Sequence, residues 1–576
     1  METLQGISAS PGVAEGVAVA YYEPELTIER TTTDDVEGEV GRLDGAVSAS
    51  IAELVEIKES VRAGLGEEFA HIFRSQQTIA EDDSIIGEVR EAVRSGGASA
   101  EQAAKTVFES YIALFDELED DDYNKARVAD LTDVYRRILR HLLGVESRDL
   151  ARLPAGSIIV AEDLLPSDTA MIDRTKVEAF VTERGGMTSH VAILAKSLRI
   201  PAAVGVPGAL TRIGDGARVI VDSRASTGAA VYVDPDEETQ ARMSSARDEY
   251  GRHMAELEQE KDLEAVTTDG HAVTVSGNIG SDAEVEEAQS HGMSSVGLFR
   301  TEFLFLKASS MPDEERQFQA YRRVVEALSP GMVIFRTLDV GGDKQIDYLK
   351  LPEEENPFLG MRAIRISLRE TEPFKLQLRA ILRASAYGTA RVMFPMVSGS
   401  NEVRRLLEIL DEVRNDLRRE GIAFDEDMEV GIMVEVPSAV LMADALATEV
   451  DFMSIGTNDL TQYLLAADRL NENVRDYYEP FHPSVFRAVK QVADAMHTQG
   501  KWAGVCGELG GMAEIIPVLI GLGVDELSMT PQLIPEAIHT VRETSFEEAR
   551  RLAARVLEQH DVGEIRTLLA GSARRV

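Results

Sequence analysis

A single cysteine in 576 residues is the sharpest scarcity in this chain. It excludes an intrachain disulfide framework and a cysteine-rich zinc site, and it fits a reducing compartment, so a cytoplasmic location is expected. No apolar run approaches the length needed to span a bilayer; the stretch around Ile515–Leu522 is far too short. The N-terminal Met1–Gly6 lacks a basic region followed by an apolar core, so no secretory signal is expected. Basic residues are outnumbered: 59 Lys and Arg stand against 100 Asp and Glu, for a net charge of −41. Such a field repels nucleic acid and anionic membranes, and neither is expected as a partner. It also repels an anionic substrate unless arginines or a metal are concentrated locally. Lysine is the rarer base, with 12 residues against 47 arginines. An acidic, lysine-poor surface fits a high-salt interior, where screening removes self-repulsion; a merely acidic protein is the plainer alternative. What remains is an ordinary globular composition, with length for three or four domains.

Residues 1–22 carry short apolar stretches punctuated by Gly6, Pro11, Gly12 and Gly16, which predict strands. From about 34 to 145 the period becomes helical, as in Leu43, Val47, Ile51, Leu54 and Ile57, and in Leu131, Val134, Ile138 and Leu142. About four helices are expected there. Strand signals return at 156–161, 179–182, 202–206 and 219–222, separated by short helices. The helical segment therefore reads as an insertion in one compact α/β layer. Residues 1–22 and 146–232 are assigned to that layer, 23–145 to the bundle, and 233–264 to a helical linker. The charges at 235–265 suit an exposed helix or a flexible connector, and either permits relative motion.

Residues 265–576 are more regular. Apolar runs at 273–278, 296–301, 333–339, 392–397, 430–436, 451–457, 502–508 and 526–530 alternate with helical patterns. Eight such runs predict a (β/α)8 barrel, whose active site gathers at the C-terminal strand ends. The chemically informative residues cluster at those ends. Arg300, Arg336 and, farther on, Arg469 offer guanidinium forks suited to phosphate or carboxylate oxygens. Gly341–Gly342 permits a close turn beside Lys344. Glu435 and Asp459 are hard oxygen ligands of the kind that hold Mg2+ with substrate oxygens, and a salt bridge to an arginine is the alternative for each. Cys506, between glycines after an apolar run, is either a small buried hydrophobe or a proton donor. A thiol there can protonate a carbon that a departing phosphoryl group has left electron-rich.

A second segment, GGMTSHVAILA at 185–195, follows a strand and then takes a helical period. Its glycines permit close approach, and amides at a helix start attract a phosphoryl group. His190 there is placed for its imidazole to attack phosphorus, with Thr188 orienting the other ring nitrogen; a cap or surface role is the plain alternative.

The segments VGLFRTEFLF, RTLDVGGDK, NPFLGMRAIR, GIMVEVPSA, SIGTNDLTQY, AADR and GVCGELGG closely resemble the phosphoenolpyruvate-using barrel of Enzyme I of the sugar phosphotransferase system. GG-x-TSH-x-AI-x-A resembles the phosphohistidine motif of the same family. The resemblance covers the whole chain in order: split α/β domain, inserted helical bundle, barrel. It implies that His190 is phosphorylated, at Nε2, by phosphoenolpyruvate and passes the group to the phosphocarrier HPr. It implies that Arg300, Arg336 and Arg469 grip the phosphate, with Arg362 assisting and Lys344 nearby. Asn458 would touch phosphoryl oxygens, Glu435 and Asp459 would bind Mg2+, and Cys506 would protonate the enolate. It further implies a homodimer formed through the barrel and HPr docking on the inserted bundle. His71, Phe73, Gln76, Glu81 and Arg127 are that bundle's family-like residues. Met361 and Met187 depart from the usual tryptophan and arginine. Pyruvate phosphate dikinase and phosphoenolpyruvate synthase share the barrel, but their nucleotide-binding domain has no counterpart here.

Overall fold

The computed structural model describes all residues except 23–25, 30, 66, 117–121, 146–149, 151–152, 165–171, 174, 187–188, 199, 225–227, 307, 343–345, 350–353, 472 and 573–576. The side chains of 60–72, 116–126, 129, 190, 193, 197, 347 and 572 are also outside that description. The chain divides into two compact units, Met1–His253 and Met254–Val576.

The first unit contains seven strands: β1 (Glu2–Ser10), β2 (Val13–Tyr21), β3 (Ser157–Ala161), β4 (Val177–Thr182), β5 (Ala202–Val204), β6 (Arg218–Asp222) and β7 (Ala229–Val233). The compact layer expected closes on itself as a mixed barrel in the order β1-β5-β4-β3-β2-β6-β7. The strand absent from the expectation, β7, makes the closure, pairing antiparallel with both β1 and β6. Its burial alternates residue by residue, as a half-buried strand requires, but two of its five residues are alanines with weak strand character. Inside, Leu4, Ile158, Val160, Val181, Val219 and Val231 pack together.

Among the described residues five helices occupy 36–143, where about four were expected: Val36–Leu65, Glu67–Ala80, Asp83–Gly96, Ala100–Asp116 and Asp122–Leu143. The third shows why its ends fall where they do. Asp82 caps it by accepting from the Ser84 amide, and Gly97 ends it at φ 59°, a conformation that favours glycine. Ile85, Ile86, Val89 and Val93 form its buried stripe. The connector is helical, Glu237–Glu260.

In the second unit all eight expected strands form: β8 (Thr274–Ile279), β9 (Val296–Arg300), β10 (Val333–Arg336), β11 (Ala390–Phe394), β12 (Val430–Val434), β13 (Phe452–Ile455), β14 (Trp502–Val505) and β15 (Glu526–Met529). They are parallel and close in sequence order, with β15 pairing to β8. Helices such as Ser400–Glu420 present Val403, Leu406, Leu410, Val413 and Leu417 to the strands at helical period. Each such side chain contributes roughly 1.5–3 kcal/mol by leaving water. A separate cluster of Leu298, Ile334, Met393, Met433, Phe452 and Cys506 stands apart from that helix-facing core. Among the described residues, no helix is long and apolar enough to cross a membrane.

Candidate active site

The C-terminal ends of the parallel strands bring the predicted barrel residues into one region. Arg300 is the last residue of β9 and Arg336 the last of β10. Glu435 follows β12 directly and Cys506 follows β14. Asn458 and Asp459 lie in the first turn of the helix Thr457–Leu465, which follows β13 after a single glycine. Two glycines make this convergence possible. A side chain at Gly507 would overlap Thr457 at that helix start, and one at Gly456 would press on the Glu435 carboxyl.

The charges form a buried alternating chain. Arg336 pairs with Glu302 at 2.5 Å and with Asp339 at 3.0 Å. Arg362 grips the other side of Asp339 at 3.0 Å and reaches Asp459 at 2.9 Å. The Arg362 guanidinium also donates to the Tyr463 hydroxyl, which donates to the Phe358 carbonyl at 2.6 Å. Glu435 accepts from the Met396 amide at 2.6 Å. Among the described residues, the buried carboxyl groups of Glu302, Asp339, Glu435 and Asp459 outnumber the buried guanidinium groups of Arg336 and Arg362. Burial, then the Asp459 and Asp339 charges, push the Glu435 carboxyl up to about 8. A cation beside it restores the ionised form.

Both readings of Asp459 are therefore visible in one place. It is bonded to an arginine, and it stands close enough to Glu435 for their charges to interact. Among the described residues no group of three or more His, Cys, Asp or Glu side chains is placed to hold a metal. The two carboxylates suit Mg2+, which takes few protein ligands and completes its shell with water and substrate oxygens.

Burial and the Arg336 charge push the Arg300 guanidinium below its ordinary value. Burial opposes the charge on Arg336, but Glu302, Asp339 and Glu435 outweigh it and hold the group above its ordinary value. Arg336 keeps a buried Nε with no conventional hydrogen bond among the described residues. Arg469 lies beside the Tyr478 hydroxyl, and its amide donates to Gln462. Asn458 is held from both ends by Glu508, through its amide nitrogen and its carbonyl oxygen, each at 3.1 Å.

Cys506 is 4% exposed, and burial pushes its thiol up to about 12 against the opposing Ser454 hydroxyl. The thiol is therefore protonated throughout the neutral range. Lys344 and Thr188 fall outside the described residues. His190 begins the helix His190–Leu198 just after Gly185, which adopts φ 101°; its side chain is outside the description. In the bundle, Phe73 is buried, Gln76 donates to Asp130 at 3.2 Å, and Glu81 is exposed; the His71 side chain is outside the description.

Residue types alone did not single out Glu302, Asp339, Glu508, Tyr463 or Tyr478. The first two stand in the quoted arginine segments, two residues after Arg300 and three after Arg336. That spacing was the available signal.

Three family profiles match this chain: a PEP-utilising enzyme N-terminal region over 5–127, a PEP-utilising enzyme mobile domain over 153–226, and a PEP-utilising enzyme PEP-binding domain over 254–546. A phosphoenolpyruvate-protein phosphotransferase of Enterococcus faecalis is 41% identical over 98% of each chain. One of Bacillus subtilis is 42% identical over the same shares. A solution structure of Enzyme I (nEIt) is 36% identical with a TM-score of 0.39, covering 43% of this chain and 99% of that one.

Proposed function

Because the chain belongs to the family of phosphoenolpyruvate–protein phosphotransferases, we propose that His190 takes the phosphoryl group of phosphoenolpyruvate, releases pyruvate, and passes the group to a protein acceptor. The acceptor is the phosphocarrier HPr, docking on the helical bundle, and the reaction is the first step of sugar uptake with phosphorylation. The observation that carries the barrel chemistry is the buried thiol of Cys506, at a C-terminal strand end of the same barrel as Arg300 and Arg336.

In this reading Arg300, Arg336 and Arg469 neutralise the phosphate, with Arg362 and Lys344 assisting and Asn458 on the phosphoryl oxygens. The Arg336 Nε, without a hydrogen bond among the described residues, supports the assignment, since a guanidinium already paired with carboxylates still has a donor to offer. Glu435 and Asp459 would hold Mg2+, which when bound supplies charge neutralisation at the transferring group. The His190 ring nitrogen attacks phosphorus and the P–O bond breaks, leaving its electron pair on the enolate. Thr188 holds the second ring nitrogen. The Cys506 S–H proton then joins the methylene carbon, and pyruvate leaves. Donation by a thiol with so high a pKa is favourable because an enolate carbon is the stronger base.

His190 belongs to the first compact unit and the arginines to the second. The imidazole must therefore visit the barrel to be loaded and leave it to unload, with the helix Glu237–Glu260 as the swivel. The protein acts in the cytoplasm as a dimer formed through the barrel. The test is incubation with labelled phosphoenolpyruvate and Mg2+. An acid-labile, base-stable adduct forms on the wild type and is absent from His190→Ala. A wild type that gains no label and releases no pyruvate overturns the reading.

A further inference from the structure

The reaction just described, on which this inference rests, leaves Cys506 as a buried thiolate that must regain a proton before the next turnover. A buried acid on a barrel strand has no part in that reaction. Glu526 opens β15, is 1% exposed, and faces the Ser276 hydroxyl, with no conventional hydrogen bond at either carboxylate oxygen among the described residues. Its place is set by two glycines: a Cβ at Gly297 of β9 or at Gly504 of β14 would overlap its carboxyl oxygens. Gly504 pairs with Glu526 on one side and with Ser454 of β13 on the other. The three residues therefore lie abreast across adjacent strands. Cys506 stands two residues beyond Gly504, which places it on the same strand face, one layer higher. The Ser454 hydroxyl is fully buried, makes no conventional hydrogen bond among the described residues, and faces the Cys506 thiol.

We propose that Glu526 and Ser454 form an internal relay that returns a proton to Cys506 after each turnover. The Ser454 O–H bond breaks and its proton joins Sγ. At the same time the Glu526 O–H gives its proton to the Ser454 oxygen, directly or through one bridging water. Glu526 is left as a carboxylate and is reprotonated by solvent hydronium between turnovers. Other groups around it set the balance. Burial pushes Glu526 up to about 8, against the Ser276 hydroxyl and the Arg391 charge, so it holds a proton near neutrality. The Glu526 charge in turn raises the Cys506 thiol, so the two groups sense one another. The nearby Ser276 and Ser295 hydroxyls bond to each other at 2.9 Å. Glu526 and Ser454 are positioning residues in this scheme, because they act only through Cys506.

Rapid-quench measurement of pyruvate, with phosphoenolpyruvate, Mg2+ and the protein acceptor, tests the relay. In Glu526→Gln the first equivalent forms at the wild-type rate, since Cys506 starts protonated. Later turnovers slow by tenfold or more, so a burst appears. Ser454→Ala gives the same burst, and Glu526→Asp restores most of the steady rate. Steady turnover equal to wild type in the variants overturns the proposal. So does a first turnover slowed as much as the later ones, which marks a structural defect. If Glu526→Gln does not fold, Ser454→Ala decides by the same criteria. A wild type that makes no pyruvate instead refutes the function on which the relay depends.

Discussion

The chain contains two closed barrels that treat charge in opposite ways. In the seven-stranded barrel of the first unit, the buried polar residues on the strands are Ser8, Ser10, Ser157 and Thr182 among the described residues, all neutral. In the eight-stranded barrel of the second, Arg336, Glu435, Glu526, Asp339 and Arg362 are buried in or just beyond the strands. Burying an ion costs several kcal/mol, and pairing recovers only part of it. A barrel that needed only to fold has no reason to bear that cost. The first unit presents its candidate histidine at a helix start outside the strands, whereas the second buries paired ions at its strand ends.

The largest break in this comparison is chemical. Cys506→Ala removes a proton donor but no charge, so pyruvate formation falls roughly 10²- to 10⁴-fold. Phosphoenolpyruvate binding, followed by isothermal titration, stays within a few-fold of wild type. Equal turnover would leave the thiol a mere packing group.

Next in size is the exchange of a buried polar group in each barrel. Glu302→Ala leaves Arg336 short of a partner and destabilises the second unit by about 3 kcal/mol. Urea unfolding followed by Trp502 fluorescence reads that unit alone, since the chain has one tryptophan. Thr182→Val in the other barrel loses one hydrogen bond, to the Arg184 carbonyl, and costs about 1 kcal/mol by hydrogen exchange. Similar losses in the two barrels would erase the contrast.

The pH dependence sharpens it further. Glu526 keeps its proton in the folded barrel up to about 8, while the unfolded chain releases it near 4.5. Folding therefore binds a proton in that window, and the stability it contributes falls as pH rises, by up to about 1.4 kcal/mol per unit. In Mg2+-free urea titrations at pH 5.5 and 7.5, the wild type loses more stability than Glu526→Gln. Parallel losses would mean that the carboxyl is already ionised in the folded state. The smallest expected effect concerns the surface: if the −41 charge is a high-salt adaptation, Tm rises by a few degrees from low to molar KCl. A flat curve leaves the surface merely acidic.

The parallel barrel was legible in the sequence because each strand is a short apolar run ending in a polar residue, as at Val296–Arg300 and Trp502–Val505 followed by Cys506. Closure of the smaller barrel was not. It depends on β7, a five-residue strand that opens on two alanines of weak strand character and whose pairing with β1 and β6 no local pattern announces.

For the site, residue type and position at strand ends pointed to Arg300, Arg336, Glu435, Asp459 and Cys506 without any neighbour being known. Which charge meets which was beyond that reading. Asp339 lies between Arg336 and Arg362, and Arg362 reaches Asp459 across 97 positions, because strand order in a closed sheet makes distant segments adjacent. Local sequence determined the elements and the kinds of chemistry they could bear. Tertiary structure alone decided the pairings, the burial and the shifted acidities, since desolvation and Coulomb energy depend on distances that exist only once the barrel has closed.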